Sequence, residues 1–133
     1  CPLDQFLARL HAADLFLDTF PYNAHTTASD ALWVGLPVLT CAGDTFASRV
    51  AGSLLTAVGL PEMITHSMDE YEKLALRLAR GPQELAALRE KLSRNRATAP
   101  LFDTPAFARN LEAAYRKMWE NHLAGARPSA IQL

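Results

Sequence analysis

The fold class of this chain follows from residues 13–41, which read A-D-L-F-L-D-T-F-P-Y-N-A-H-T-T-A-S-D-A-L-W-V-G-L-P-V-L-T-C. The apolar run from Ala13 to Thr19 has the length of a buried strand. A helical pattern follows from about Thr26 to Trp33, and Gly35 is placed to stop that helix. A second short apolar strand is predicted from Pro37 to Cys41. This stretch therefore predicts a strand, a helix and a second strand.

The next segment repeats the order of loop and helix. The loop from Ala42 to Thr45 leads into a predicted helix whose apolar residues run from Ala47 to Val58, and Gly59 closes it. Such alternation is typical of βαβ units with a parallel sheet. We therefore predict an α/β fold.

The ends of the chain are predicted to be helical. A short amphipathic helix opens the chain, with apolar residues at Leu3, Phe6, Leu7 and Leu10. Later helices are predicted from Ser67 to about Ala79, from Pro82, and from Thr104 with an apolar side of Phe107, Leu111, Ala114, Tyr115 and Met118.

The number of strands bears on how complete the domain is. Only three can be counted, including a weak candidate from Met63 to Thr65, whereas a doubly wound sheet usually has five or six. We therefore expect an incomplete parallel sheet that forms the C-terminal part of a larger α/β unit. Residues 1–125 are predicted to form one domain and residues 126–133 a flexible tail.

The composition is that of an ordinary soluble globular protein. Of its 133 residues, 50% are hydrophobic and 20% are charged, and the net charge is -1. This balance gives no general attraction to nucleic acid or to an anionic membrane. The sequence has neither an apolar run of roughly 20 residues nor a signal-peptide pattern, so we expect a cytoplasmic location. Cys1 and Cys41 have no CxxC spacing, which argues against a disulfide framework or a zinc site.

The first loop brings polar side chains to the predicted start of a helix. His25, Thr26 and Thr27 lie where free backbone N–H groups and the helix dipole suit an anion such as a phosphate or diphosphate. Asp30 lies about one turn further along, near enough to accept hydrogen bonds from sugar hydroxyls. The same residues have a structural explanation, in which a threonine caps the helix, His25 bonds the backbone and Asp30 is solvated.

The second loop, Ala42 to Thr45, also precedes a helix and could hold an anion, with Arg49 one turn inside. Gly-Asp-Thr is equally an ordinary turn and helix cap, and Arg49 could pair with a carboxylate instead.

Other polar residues are predicted to be structural. His66 lies beside a helix cap, and His122 suits the dipole at the end of the last helix. Asp14 and Asp18 flank a strand without a third acidic partner, so we do not assign them as a catalytic pair. The basic run from Arg89 to Arg96 is predicted to be a solvated helix face.

Three motifs go beyond these patterns. They are A-D-L-F-L-D-T-F-P-Y-N-A-H-T-T-A-S-D-A-L-W-V-G-L-P-V-L-T, then G-D-T-F-A-S-R-V-A-G-S-L-L, and near the end P-L-F-D-T-P-A-F-A-R-N-L-E-A-A-Y-R-K-M-W-E. Together they resemble the C-terminal catalytic region of the protein O-linked N-acetylglucosamine transferases, a family with bacterial members and plant relatives called SPINDLY. The resemblance covers nearly the whole chain, and N-A-H-T-T-A-S-D-A-L-W is its most specific part.

The resemblance implies a fold and a donor site. Family members have the GT-B arrangement, two Rossmann-like halves with the nucleotide sugar between them, and this chain resembles the end of the second half. The resemblance implies that His25, Thr26 and Thr27 hold the diphosphate of UDP and stabilise the leaving group. Asp30 would bind the ribose hydroxyls.

The resemblance also implies contacts with the base. Arg9 matches an arginine that contacts uracil in family members. Phe6 falls where some relatives have a histidine packed against the base. A phenylalanine can stack there but cannot donate a hydrogen bond.

The implied reaction moves N-acetylglucosamine from UDP-GlcNAc to a serine or threonine hydroxyl of a protein acceptor, with inversion at the anomeric carbon. No metal or other cofactor is implied, and the chain has no DxD motif. Plant relatives transfer fucose, so the resemblance defines a UDP- or GDP-type diphosphate site better than the sugar.

Several family features lie outside these 133 residues. They are the first Rossmann-like half, the tetratricopeptide repeats, and the upstream glutamine and lysine that hold the nucleotide and its phosphates. We therefore expect the chain alone to have no appreciable transferase activity.

Two other functions stay open at this point. One is a non-catalytic interaction module, derived from a transferase domain, whose open sheet edge pairs with a partner chain. The other is a phosphate-binding α/β protein with a different substrate.

Overall fold

The computed structural model describes residues 2–131 and has the predicted alternation of strands and helices. The helices are α1 (Leu3–Leu10), α2 (Thr26–Trp33), α3 (Val50–Ala57), α4 (Met68–Arg80), α5 (Pro82–Arg96) and α6 (Thr104–Leu123). The strands are β1 (Phe16–Leu17), β2 (Val38–Cys41) and β3 (Ile64–Thr65), and short 3-10 helices span Pro61–Met63 and Pro100–Phe102. No helix within residues 2–131 is long and apolar enough to cross a membrane.

The three strands form a parallel sheet in the order β1-β2-β3. Phe16 pairs with Val38, and Thr40 pairs with Ile64, so the registers of both ladders are defined. All four residues of β2 are buried, which explains why this strand is a continuous apolar run rather than an alternating one. The predicted α/β class with an incomplete parallel sheet is confirmed.

Chain contacts divide the molecule into two compact units, with the boundary between Leu101 and Phe102. The first unit contains the sheet and its core of fully buried side chains, which include Leu32, Leu39, Leu55, Leu60, Met63, Leu78 and Leu92. The second unit contains α6. The domain predicted over residues 1–125 remains a prediction.

Two predicted elements differ from the observed ones. The first strand is shorter than Ala13–Thr19, because its ladder to β2 extends only from Phe16 N–H on Pro37 to Asp18 N–H on Leu39. The third helix begins at Val50, so Ala47 precedes it in a turn.

Glycines end two of the helices as predicted. Gly35 and Gly59 have φ angles of +86° and +75°, in the left-handed region that side chains disfavour and that closes helix C-termini.

The basic run on α5 was expected to be solvated, and for two of its arginines this is wrong. Arg89 donates to the backbone carbonyl of Ala13 and lies 3.5 Å from the Asp14 carboxylate. Arg96 donates to the carbonyl of Trp33 at the end of α2, with its guanidinium 5.9 Å from the ring centroid. These arginines bond the carbonyl groups of Ala13, before β1, and of Trp33, at the end of α2, and so they hold α5 against these two segments.

The last helix begins where it was predicted. Asp103 Oδ1 accepts a hydrogen bond of 2.8 Å from the N–H of Ala106 and caps α6. On its predicted apolar side, Ala114 is half-buried and the larger side chains are exposed, from 39% at Leu111 to 65% at Phe107. Residues 126–131 of the predicted tail have no regular secondary structure, and the last two residues of the tail lie outside the described residues.

Candidate functional site

Two loops leave the carboxyl ends of neighbouring parallel strands, where ligands of such sheets bind. The first loop, residues 18–25, joins β1 to α2, and the second loop, residues 42–49, joins β2 to α3. The two loops touch, because the N–H of Asn23 donates to the carbonyl of Ala47 over 3.1 Å. Both predicted anion-binding segments therefore lie side by side.

Asp18 holds the first loop together from the end of β1. Its Oδ1 accepts from the N–H groups of Thr19 at 2.8 Å and of Ala24 at 2.7 Å. Its Oδ2 accepts from the hydroxyl of Thr40 on β2 at 2.6 Å. The carboxylate is therefore part of the frame of the loop and does not form a pair with Asp14, as expected.

Asn23 ties the same loop to the sheet. Its Nδ2 donates to the carbonyl of Thr19 at 2.9 Å and to that of Cys41, the last residue of β2, at 3.3 Å. The side chain is only 1% exposed, and its Oδ1 has no hydrogen-bond partner within residues 2–131. The two bonds of Nδ2 therefore join the first loop to the end of β2, while Oδ1 is an exception to the rule that buried polar atoms are bonded.

The first loop leads to the start of α2, which lies at the surface. His25 occupies the N-cap position without a side-chain capping bond, and Thr26 and Thr27 follow it as exposed residues. Within residues 2–131 the N–H groups of Thr26, Thr27 and Ala28 have no acceptor, since the first helical bond runs from Ser29 to His25. Three unpaired N–H groups with two exposed hydroxyls beside them form a suitable anion site. The explanation that a threonine caps this helix is not supported.

The His25 ring lies between two aromatic side chains. Tyr22 stacks on it with centroids 5.1 Å apart and planes inclined by 15°, and Phe46 of the second loop meets it edge-on at 6.1 Å. The Nε2 atom of His25 is buried and has no hydrogen-bond partner within residues 2–131. Sequence analysis missed both aromatic contacts. The only signal was the presence of three aromatic residues, Phe20, Tyr22 and Phe46, in the two loops.

The remaining predicted site residues are Asp30 on α2 and two residues of α1. Asp30 is half-buried one turn into α2. Helix α1 packs against α2, and it carries the half-buried Phe6 and the exposed Arg9. Phe6 and Arg9 therefore lie on α1, and Thr26, Thr27 and Asp30 lie on α2, which begins after the N-cap residue His25 and is in contact with α1.

In the second loop, Ser48 and Arg49 bond back to Thr45. Ser48 Oγ donates to the carbonyl of Thr45 at 3.0 Å and accepts from the Thr45 N–H at 3.1 Å. Arg49 Nε donates to the same carbonyl at 3.2 Å. A Cβ on Gly43 would lie 2.7 Å from Ser48 Oγ, so this turn is closely packed. The interpretation of this segment as an ordinary turn is favoured, although Arg49 bonds a carbonyl and not a carboxylate.

Tyr71 links α4 to the same end of the sheet. Its hydroxyl donates to the backbone carbonyl of Asp18 over 2.9 Å. Burial first, and then electrostatic interactions with Asp18 and Cys41, raise the pKa of Tyr71 above its ordinary value of 10.0. The hydroxyl is therefore protonated at neutral pH and can donate this bond.

The other polar candidates lie in structural settings. The N–H of His66 donates to the Glu70 carboxylate at 2.9 Å beside the helix cap, and the His122 ring lies 5.5 Å from that of Trp119 on α6. Within residues 2–131 no three His, Cys, Asp or Glu side chains are grouped to hold a metal ion. An open groove of about 560 Å³ borders β1, α4 and α5 and includes none of the predicted site residues.

Comparisons with known proteins agree on one family. Residues 2–111 match glycosyl transferase family 41. The chain is 45% identical over 130 residues to an Arabidopsis thaliana protein named as a probable UDP-N-acetylglucosamine-peptide N-acetylglucosaminyltransferase SEC, and the match covers 97% of the chain. It is 42% identical over 120 residues, 90% of the chain, to a Hordeum vulgare protein with the same enzyme name and the designation SPINDLY.

A solved structure agrees with these relatives. A mutant of the Thermobaculum terrenum O-GlcNAc transferase superimposes with a TM-score of 0.86 at 40% identity, over 91% of this chain and 23% of that one. The chain spans 13% of the length of each of the two plant relatives.

Proposed function

The chain belongs to glycosyl transferase family 41, and we propose that it forms the donor-binding part of an inverting enzyme that transfers N-acetylglucosamine from UDP-GlcNAc to serine or threonine hydroxyls of proteins. The start of α2 carries this proposal, because three N–H groups that have no acceptor in the described part of the chain, residues 2–131, lie there beside two exposed hydroxyls. The enzyme names of the relatives support the donor and the peptide acceptor.

Each predicted residue has a role in this proposal. His25, Thr26 and Thr27 contact the diphosphate, and Asp30 accepts hydrogen bonds from the ribose hydroxyls. Arg9 of α1 binds the uracil. The packing of α1 against α2 supports a base site beside the diphosphate site.

Phe6 extends the base site. It is half-buried on the same helix as Arg9. Its exposed part offers an apolar surface on which a pyrimidine ring can stack.

The geometry of the helix start suits the leaving group. As the glycosidic bond to UDP breaks, negative charge develops on the β-phosphate. Fixed N–H dipoles and hydroxyl donors stabilise that charge more strongly in the transition state than in the ground state, and this difference lowers the barrier. The residues of this chain supply the electrostatic part of catalysis, and we assign no general base to them.

The proposal is limited to one part of the reaction. Since the chain spans 13% of its plant relatives, we propose that the first Rossmann-like half and the tetratricopeptide repeats complete the enzyme. The isolated chain would then bind the nucleotide without appreciable turnover of UDP-GlcNAc.

A second candidate function is an interaction module that pairs through its sheet edge. Strand β1 is an edge strand, and its Leu17 is 54% exposed. Exposed apolar edges invite strand pairing. Self-association on a sizing column, without a response to UDP, would favour this function.

The test is a titration of the folded 133-residue chain with UDP, followed by backbone amide NMR shifts. We expect saturable shifts at Arg9 and from His25 to Asp30, and a weakening of about tenfold for His25→Ala and for Asp30→Ala, the range of one lost hydrogen bond to a charged group. Arg49→Ala is the matched control in the second loop and should bind UDP like the wild type.

Other ligands distinguish the alternatives. GDP binding as tightly as UDP would argue against a uridine-specific site. Inorganic phosphate binding as tightly as UDP would favour a general phosphate-binding protein. A folded chain without shifts at millimolar UDP would contradict the proposal for this chain.

A further inference from the structure

Asp18 is a buried carboxylate that the proposed reaction does not use. It is 6% exposed, and no salt bridge within residues 2–131 includes it. A buried charge without a cation is costly unless hydrogen bonds stabilise it. The position of Asp18 therefore calls for a specific role.

Every polar group of Asp18 has a partner. The carboxylate accepts from two N–H groups and one hydroxyl. Its own N–H donates to the carbonyl of Leu39, and its carbonyl accepts from the Tyr71 hydroxyl. Asp18 thus joins three elements of the first unit, namely β2, α4 and the loop that leads to α2.

The bonds of Oδ1 set the path of the loop. This single oxygen accepts from Thr19 at the beginning of the loop and from Ala24, six residues after Asp18, at its end. Because Ala24 directly precedes His25, the bond fixes the direction in which the chain enters α2. The carboxylate accepts a hydrogen bond from the N–H of Ala24, two residues before α2 begins. Within residues 2–131 the N–H groups of Thr26, Thr27 and Ala28 have no acceptor.

The bond of Oδ2 anchors this arrangement in the sheet. Thr40 is fully buried in the central strand, and its hydroxyl donates to Asp18 over 2.6 Å. Short hydrogen bonds to an ionised acceptor are stronger than neutral ones and restrict geometry more. This hydrogen bond therefore fixes the position of the loop relative to β2.

We propose that Asp18 is a positioning residue of the donor site, which aims the start of α2 at the diphosphate by holding Ala24 and Thr40. The inference rests on the proposed function. Asp18 touches no part of the donor itself, and it acts by fixing the unpaired N–H groups and the His25 ring in place before the ligand binds.

The test compares Asp18→Asn with Thr65→Val in the UDP titration of the folded chain. The asparagine has the same shape but lacks the charge and one acceptor. Thr65 is the control, because its buried hydroxyl donates to the Thr40 carbonyl over 2.9 Å and touches neither the first loop nor α2. Both variants lose a buried hydrogen bond, but only Asp18→Asn weakens the bonds that hold the segment leading into α2.

We expect UDP to bind about tenfold more weakly to Asp18→Asn and within about twofold of the wild type to Thr65→Val, at comparable losses of unfolding midpoint. Without ligand, the amide protons of Thr19 and Ala24 should move upfield in Asp18→Asn, since an amide is a weaker acceptor than a carboxylate. Asp18→Ala, where it folds, should bind UDP still more weakly than the asparagine variant.

Two outcomes separate this inference from the function on which it rests. If the wild type binds UDP and Asp18→Asn binds it equally well, the positioning role is wrong and the donor site stands. If the folded wild type does not bind UDP, both are overturned. If Thr65→Val weakens UDP binding as much as Asp18→Asn does, the loss of affinity follows from lower stability alone, and the positioning role is wrong.

Discussion

The first and second loops occupy equivalent places in the sheet but expose different groups. In the first loop, Asp18 and Asn23 bond outward to β2, and the chain then enters α2 through the exposed Thr26 and Thr27. In the second loop, Ser48 bonds back to Thr45. Position at the carboxyl end of a parallel strand thus does not by itself fix which polar groups a loop exposes.

The helix starts differ in the same way. Helix α3 begins with Val50, Ala51 and Gly52, which carry no polar side chain, and the last two are buried. The start of α2 instead offers two exposed hydroxyls beside its N–H groups. The first three N–H groups of each helix have no acceptor within residues 2–131, since the first helical bonds run from Ser29 to His25 and from Ser53 to Arg49. What distinguishes the two helix starts is therefore the pair of exposed hydroxyls on α2.

The largest expected loss of stability comes from replacing Asn23, whose side chain bonds the first loop to the end of β2. Asn23→Ala removes two hydrogen bonds and leaves the carbonyls of Thr19 and Cys41 without that donor. We expect a loss of about 3 kcal/mol in the free energy of unfolding, from unpaired buried groups and a small cavity. Urea denaturation followed by circular dichroism measures it. A loss below about 0.5 kcal/mol would mean that the loop is not held to the sheet by this side chain.

A smaller effect is expected in the second loop. Ser48→Ala removes bonds only to Thr45, which is exposed, so water can replace the lost partner. We expect about 1 kcal/mol of destabilisation and an unchanged affinity for UDP. Weaker UDP binding by this variant, at a temperature where it is fully folded, would show that the second loop belongs to the donor site and would remove the contrast between the loops.

The smallest effect at neutral pH is expected for Tyr71→Phe. The variant loses the bond to the Asp18 carbonyl, which lies in a partly exposed region, so we expect about 1 kcal/mol or less. The pH dependence is more informative. The pKa of Tyr71 is raised above 10.0 in the folded chain, so above that pH the unfolded chain loses this proton first and binds fewer protons than the folded one.

Stability must therefore fall as the pH rises through this window, and the phenylalanine variant lacks that contribution. Unfolding midpoints from about pH 9 to pH 11 should decline less steeply for Tyr71→Phe than for the wild type. Parallel declines would contradict the raised pKa and the bond behind it.

Much of the fold could be predicted from local sequence. The continuous apolar run of β2 and the glycines after α2 and α3 give strong signals, because burial on both faces and positive φ angles restrict the residues allowed. The boundary at Val50 could not be predicted in this way. The apolar pattern continues back to Ala47, but hydrogen bonds between Ser48 and Thr45 favour a turn there.

The candidate site was predicted in part. His25, Thr26, Thr27 and Asp30 are neighbours along one loop and helix, so their spacing indicated a shared role. Phe46 could not be found in this way, since it comes from a different loop and reaches His25 only when β1 and β2 pair.

The sequence by itself determined the α/β class, the helix that carries the polar start, and the family resemblance, because these depend on periodicity and on motifs that are local in the chain. Only the tertiary structure decided that the second loop bonds its hydroxyls internally while α2 begins with two exposed hydroxyls, and that Asp18 joins the first loop to β2. Those outcomes depend on hydrogen bonds such as that between Asp18 and Thr40, which are 22 residues apart in the chain. Such contacts form only when the strands are brought together, and no local pattern encodes them.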